Sequence, residues 1–488
     1  MKKYLFIILG LIFAQLSCSD FLNIEPRESI SIQQQFSTLD GTKRALSGAY
    51  LETAALHSSV FYTYADVLGG NTRFTPAPQG STAGTIVIPE VYRTFYSFNE
   101  TELQTSFKSF YENSYAVINN ANNIIFYSDN VPDASLSQKN QIKAEAFALR
   151  AFLHYNLLQL YSQTYNFSQN ASHRGVVYAD RILVGGVDFP ARKTAAESYG
   201  LIVSDLQTAL SLFQNEQALS GPKYSYFNAI TTKAFLARVA LQKRDFSLAI
   251  TTATDIIGTA GVTLMTGANY NLEWEKPNSP PSEVLFEFTP RNAGDTPNLV
   301  SFTVATYYKF PFLVNDTYGR LACSTDLYNL FSPSDVRRNC FLTQTFNVRN
   351  GNQFTNVNFN FTKKHQNNAG AMVIRLSEMY LILAEANARQ NNNGVALTNL
   401  NIIRERSNLT ALPTSNNILD EIFLERRREL CFESVLLFDI ARFNKSVVRG
   451  ADCIATQCNL NFPNSRFILP IAQSFVNINQ NMIQNEGY

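Results

Sequence analysis

The richest chemistry in the chain lies between Glu425 and Arg442, in the run ERRRELCFESVLLFDIAR. Glu425, Glu429 and Glu433 step by four, so on a helix they form one carboxylate stripe. Arg428 lies three beyond Glu425 and Arg426 three before Glu429. Paired carboxylates do general acid–base work or hold a metal ion. Neutralised by arginines, they also make a buried structural network. The apolar run Val435–Phe438 that follows suits a helix plugged into the body of a domain and favours the network. Glu433 needs a partner from elsewhere in the fold.

No compact catalytic signature accompanies the stripe: no GxxxxGK(S/T) phosphate loop, no HExxH, no GxSxG elbow, no DxDxDG calcium loop. His57, His154, His173 and His365 are scattered, and His154, in an apolar helical run, reads as a hydrogen-bonded core residue. No Cys/His spacing suits zinc. Neither catalysis, a cofactor nor a metal is expected. Binding has better support, because aromatic rings beside amides and guanidinium groups give a face to stack on and donors to fix orientation. The segment YTYADVLGGNTRF supplies Tyr62, Tyr64, Asp66, Asn71 and Arg73, with Gly69-Gly70 allowing a sharp turn. Tyr307, Tyr308 and Lys309 form a second set, and Trp274 is a lone large ring. These nine are the expected ligand contacts.

The elements that must position them are mostly helical. Apolar residues recur at three-to-four spacing over 39–55, 102–127, 137–161 and 193–213, the last opened by a Thr194/Glu197 capping box. Residues 229–243 and 246–257 read as two helices joined at Arg244-Asp245, with Ala234, Ala237, Ala249 and Ala253 where they approach. Residues 379–406 repeat the pattern around a break at 391–394. This is the texture of tetratricopeptide-like helical hairpins. Two stretches, about 60–98 and 258–370, lose the helical period and read as loop-rich insertions on one face, with strands at 283–288 and 354–361.

Lys2-Lys3, an apolar run to Phe13 and the residues AQLSC to Cys18 read as a leader and a lipoprotein cleavage site, with Cys18 taking the lipid. The organisation expected is a leader at 1–17, a lipidated tether at 18–38 and one domain over 39–488. Without Lys2 and Lys3, 38 basic side chains face 39 acidic ones, which offers no field for nucleic acid. An exported chain permits disulfides: Cys453 and Cys458 can close one loop, Cys323 and Cys340 another, and Cys431 reads as a small buried hydrophobe.

Short pieces along the whole chain match a family in order and spacing. They include CSDFLNIEP from Cys18, Gly48-Ala49-Tyr50, Ala144-Glu145-Ala146 with Leu149-Arg150-Ala151, and Ala237-Arg238-Val239. Further on come Arg375-Leu-Ser-Glu378-Met-Tyr380, Glu425-Arg426 with Glu429-Leu430 and Phe432-Glu433, Phe438-Asp439 with Arg442, Leu469-Pro470-Ile471 and the closing QNEGY. On these residues the chain resembles the SusD/RagB family of outer-membrane nutrient-binding lipoproteins of Bacteroidetes. Ser434, Leu436, Tyr111 and Ala472 depart from the family's usual Gly, Arg, Trp and Pro, and touch scaffold packing. The resemblance implies a mainly α, tetratricopeptide-like scaffold with a loop-rich, minor-β binding face. It implies a lipid-anchored protein of the cell surface that binds oligosaccharide, or in some members peptide. Such a protein passes its ligand to a SusC-like TonB-dependent transporter without cleaving it. It places Glu425, Arg426, Glu429, Glu433, Arg375 and Glu378 in the scaffold's structural network.

Overall fold

The computed structural model describes residues 31–77, 84–276, 279–289, 304–308, 310, 319–365, 370–414 and 416–488. The expected leader, Cys18 and Lys309 lie outside the described residues. The fold is mainly α. Helices α1 (Leu39–His57), α2 (Phe61–Gly69), α3 (Lys108–Tyr127), α4 (Leu136–Tyr161), α5 (Ala195–Leu212), α6 (Ala229–Gln242) and α7 (Phe246–Thr259) precede the larger insertion. Helices α8 (Leu376–Arg389), α9 (Asn393–Arg406), α10 (Ile418–Glu429) and α11 (Leu436–Arg442) follow it.

From α3 to α9 each helix packs on the next, α7 meeting α8 across the insertion, and α10 then lies against α8 and α9. Small residues permit the close approaches: Ala234, Ala237, Ala249 and Ala253 are completely buried. Starts are fixed by side-chain caps. The Glu197 N–H donates to Thr194 Oγ1 (3.1 Å) while Glu197 Oε2 accepts from the Thr194 N–H (2.8 Å), and Asp245 accepts from the Leu248 N–H (3.2 Å). His154, inside α4, accepts at Nε2 from the Ala179 N–H (3.0 Å), which leaves Nδ1 to donate to the Arg150 carbonyl (2.9 Å). Burial pushes its pKa down to about 3.

The two insertions meet in a sheet of order β1-β3-β5-β4, where β1 is Thr72–Phe74, β3 Leu321–Cys323, β4 Phe341–Asn350 and β5 Gln353–Thr362. All its pairings are antiparallel, and the β4–β5 hairpin pairs from Phe341↔Thr362 to Asn350↔Gln353. A separate pair joins β2 (Val284–Phe288) to β6 (Ala371–Arg375), which runs directly into α8.

Three expectations are corrected. The stretch after Val60 is no irregular loop at first: α2 occupies it, and all nine of its residues are buried. A helix buried on every side has no amphipathic period to reveal it. Its end is set by Gly70, at φ 90° with its N–H on the Asp66 carbonyl, and a Cβ on Gly69 would lie 2.6 Å from Leu436 Cγ. Second, Glu425–Arg442 is not one helix. Phe432 and Ser434 take left-handed φ values of 65° and 62°, and their N–H groups both donate to the buried Asp66 carboxylate at 2.9 Å. Third, Cys323 and Cys340 do not pair. They sit in different core clusters, and their thiols meet the Ser324 carbonyl (3.3 Å) and Asn271 Oδ1 (2.6 Å) instead. Cys453 and Cys458 form a disulfide, and Cys431 is a buried thiol.

Candidate functional site: an ionic knot and a polar sheet face

The carboxylate stripe sits at a buried junction of charges. Glu429, fully buried, takes Arg375 (2.6 Å), Arg337 (2.8 Å) and Arg406 (2.5 Å). Glu425 takes Arg337 (2.7 Å) and Arg428 (2.6 Å). Glu433, past the helix end, takes Lys364 (2.7 Å) and the Arg375 Nε (2.9 Å). Arg375 also bonds Glu283, and Arg337 is chelated by Asp335 at 2.9 and 2.8 Å. Arg426 pairs with Asp439 (2.8 Å) rather than bracing Glu429, and Glu378 pairs with Arg238 (2.8 Å). Burial alone pushes the Glu429 carboxyl up, but Arg406, Arg375 and Arg337 outweigh it and hold it well below the usual range. Glu425 and Glu433 are lowered in the same way, by Arg337 with Arg428 and by Arg375 with Lys364. Each oxygen of the three glutamates faces a cation. A general base needs a free lone pair near neutral pH and a metal needs uncommitted oxygens, and this cluster offers neither. Among the described residues no cluster of His, Cys, Asp or Glu suits a metal ion.

Most of the expected ligand contacts belong to the interior. Tyr62, Tyr64, Asp66, Asn71, Trp274 and Tyr308 are all buried, so the expectation that they meet ligand is corrected. Trp274 roofs the knot, with Lys364 Nζ 5.2 Å and the Arg375 guanidinium 5.6 Å from its ring centre. Tyr62 and Tyr308 flank His365 at 5.6 and 5.4 Å, and Asn71 donates to Asp66 (2.7 Å). Tyr307 is half-buried. Arg73 reaches the sheet, where its guanidinium lies 4.0 Å over Phe359 and pairs with Asp452 (2.8 Å). Composition singled out these residues for being aromatic and polar, which describes a core lined with tyrosine equally well.

The hairpin face has a different character. Phe346, Val348, Val357, Phe359 and Phe361 point inward onto Ala322, Ile86 and Phe310. Alternation puts Thr343, Thr345 and Asn347 outward, opposite Asn360, Asn358 and Asn356. The Thr343 hydroxyl donates to Asn360 Oδ1 and that of Thr345 to Asn358 Oδ1, both at 2.7 Å. Each Thr–Asn pair therefore keeps its amide NH₂ as donor and its hydroxyl lone pairs as acceptors toward solvent. At the tip Phe354 is 57 % exposed, opposite Arg349. The sheet is fastened at its base. Asp452, beside the disulfide loop, holds Arg73 and the Thr325 N–H (2.5 Å), and Arg449 bonds the carbonyls of Tyr96 (2.8 Å) and Cys458 (2.9 Å). These outward side chains were not singled out from the sequence. Their signal is the Thr-x-Thr-x-Asn and Asn-x-Asn-x-Asn alternation of the two strands.

Comparison with known proteins places this architecture. A family model described as "SusD family" matches residues 320–488, and one described as "Starch-binding associating with outer membrane" matches 56–241. A SusD-like protein of Bacteroides ovatus is 25% identical over 480 residues, covering 90% of this chain and 82% of its own. A SusD-like protein of Formosa agariphila is 24% identical over all of both chains. The fold is shared with a SusD superfamily protein of Bacteroides thetaiotaomicron, with a TM-score of 0.77 at 24% identity, covering 92% of this chain and 99% of that one. It is shared also with a SusD-like carbohydrate binding protein of Bacteroides vulgatus, with a TM-score of 0.75 at 18% identity, covering 91% and 97%. Matched by two models of one kind across most of its length, and built on the same helical stack, the chain belongs to the SusD family.

Proposed function

We propose that the protein captures nutrient oligosaccharide at the cell surface and delivers it, uncleaved, to a SusC-like TonB-dependent transporter. In this reading residues 1–17 are a leader, Cys18 carries the lipid that anchors the chain in the outer membrane, and residues 18–38 are the tether. The observation that carries the binding function is the outward Thr–Asn ladder of β4 and β5, on the sheet where the two insertions meet. A row of paired hydroxyls and amides, each with a spare donor and acceptor, matches the hydroxyl-rich edge of a saccharide. The exposed ring of Phe354 adds an apolar face at the tip. The family model's description as starch-binding and outer-membrane-associating supports the same reading.

The test is retention of the purified mature protein on immobilised starch and other polysaccharides, with reducing ends assayed in the eluate. Retention without product is the expected result. Release of reducing ends by pure protein would overturn the no-cleavage reading, and retention on peptides alone would move the ligand class to peptides.

A further inference from the structure

A concavity lies on the helical stack, lined by no residue of the sheet. It is a cleft of about 800 Å³ between the loop after α4 and the α6–α7 turn. Both walls are prebuilt. Asn166 Nδ2 donates to Asn444 Oδ1 (2.7 Å), the Ser168 hydroxyl bonds His173 Nδ1 (2.8 Å), and Asn170 and Ala171 hold left-handed φ values of 55° and 48°. On the other side Arg244 itself takes φ 61°. A residue with a side chain held in that region is strained, and such strain gathers at functional positions. Tyr165, Phe167 and Phe246 give the cleft rings, and Gln169, Asn170 and Gln390 give it amides.

The charge in the cleft is unbalanced. Asp245 is committed to capping α7 and to Lys243 (3.4 Å). Arg244 is half-buried with its guanidinium 5.3 Å from the Phe246 ring, and it has no hydrogen-bond or carboxylate partner among the described residues. Next to Gln390 in the chain, Arg389 lies 3.5 Å from Glu385 and 4.9 Å over the Phe443 ring, and among the described residues its buried Nε and Nη2 make no hydrogen bond. Glu385 is already bound by both arms of Arg442, at 2.9 and 2.8 Å. Burial lowers the Arg244 pKa and Arg442 adds to that, against the pull of Glu385; Arg389 is lowered by burial too, with Arg442 and Arg244 contributing. Arg442 is shared with Asp439 (2.8 Å), and Arg244 is the guanidinium that opens without a carboxylate of its own on a cleft lined with rings and amides.

We propose that this cleft is a separate saccharide site that takes an acidic sugar unit, its carboxylate or sulfate on Arg244 and its ring against Phe167. The amides around the rim can both donate to and accept from sugar hydroxyls, as the ring beside them stacks on a sugar face. The site shares no residue with the hairpin face, so the two readings fail separately.

The test is calorimetric titration of the mature protein with oligogalacturonate, a chondroitin sulfate oligosaccharide, a malto-oligosaccharide and oligoglutamate. At least one acidic saccharide should bind, more weakly as salt rises. Arg244→Gln and Phe167→Ala should each weaken it roughly tenfold, Arg244→Lys should restore most of the loss, and hairpin variants should leave it unchanged. Phe167 is at the surface, so its variant keeps the test decisive if Arg244→Gln folds poorly. Binding by neither acidic saccharide, equal binding by Arg244→Gln or by Phe167→Ala, or tighter binding of oligoglutamate would each overturn the proposal.

Discussion

Glu429 and Asn358 both stand in runs of paired polar side chains, and the pairs differ in what they leave over. Glu429 is fully buried against three guanidiniums, with no lone pair left toward solvent. Asn358 is exposed, accepts one hydroxyl from Thr345 and keeps its NH₂ free to donate outward. Satisfied charge in a dry interior fixes geometry, because any opening of the junction strands an ion. Half-satisfied polarity at the surface costs little there and remains available to a ligand. The knot ties α10 to β6, to the Asp335–Arg337 turn and to Lys364 at the end of β5, so the charged core holds the base from which the polar hairpin rises.

The largest way to break this contrast is Glu429→Ala. It takes one carboxylate from Arg375, Arg337 and Arg406 together, and should cost about 3–5 kcal/mol in chemical denaturation. Loss of saccharide binding at undiminished stability would mean the knot is itself a site. Next is the pH profile. Glu145, Glu287 and Asp66 are buried with no ion-pair partner among the described residues, and burial raises them to about 7, 7 and 6 despite their hydrogen bonds. Between about pH 8 and 5 the folded protein takes up protons there that the unfolded chain does not, so stability should rise as pH falls, by a few kcal/mol in sum. Below about pH 4.5 the unfolded chain protonates first at Glu425, Glu429 and Glu433, and stability should fall again. A denaturation midpoint that falls steadily from pH 8 downward would contradict the rise, and one that keeps rising below pH 4.5 would contradict the fall.

Cys453→Ser should cost about 2 kcal/mol by freeing the short loop that closes beside Asp452 and Arg449. Thermal unfolding measures it, and saccharide affinity should weaken in step if that loop steadies the sheet. The double change Thr345→Val with Asn358→Leu should weaken saccharide binding about tenfold while stability moves by no more than about 0.5 kcal/mol. The smallest effect is expected at Tyr62→Phe. Among the described residues that buried hydroxyl has no hydrogen-bond partner, so affinity and stability should both stay within about 0.5 kcal/mol of the parent. A large loss of affinity there would return the aromatic segment to the ligand.

Much of the scaffold is legible in the chain because it rests on local signals. Periodicity marks α4 and α6, the Thr194/Glu197 pair opens α5, and a strand-like apolar run and an alternating one become β2 and β5. What stays hidden depends on contacts far apart in sequence. The partners of Glu433 lie 58 and 69 residues away, at Arg375 and Lys364. The turn that ends α10 is drawn by Asp66, 366 residues from Phe432. The binding face was harder still. Tyr62 and Asp66 have the composition of a sugar site and the burial of a core, whereas Asn356, Asn358 and Asn360 look like loop filler until the hairpin register turns them to one side.

Hydrogen–deuterium exchange, with and without the oligosaccharide that the retention screen selects, tests the division between holding and binding most directly. The account predicts slowed exchange across residues 341–362, with residues 418–442 unchanged. Protection confined to 418–442, with the hairpin unaffected, would contradict it.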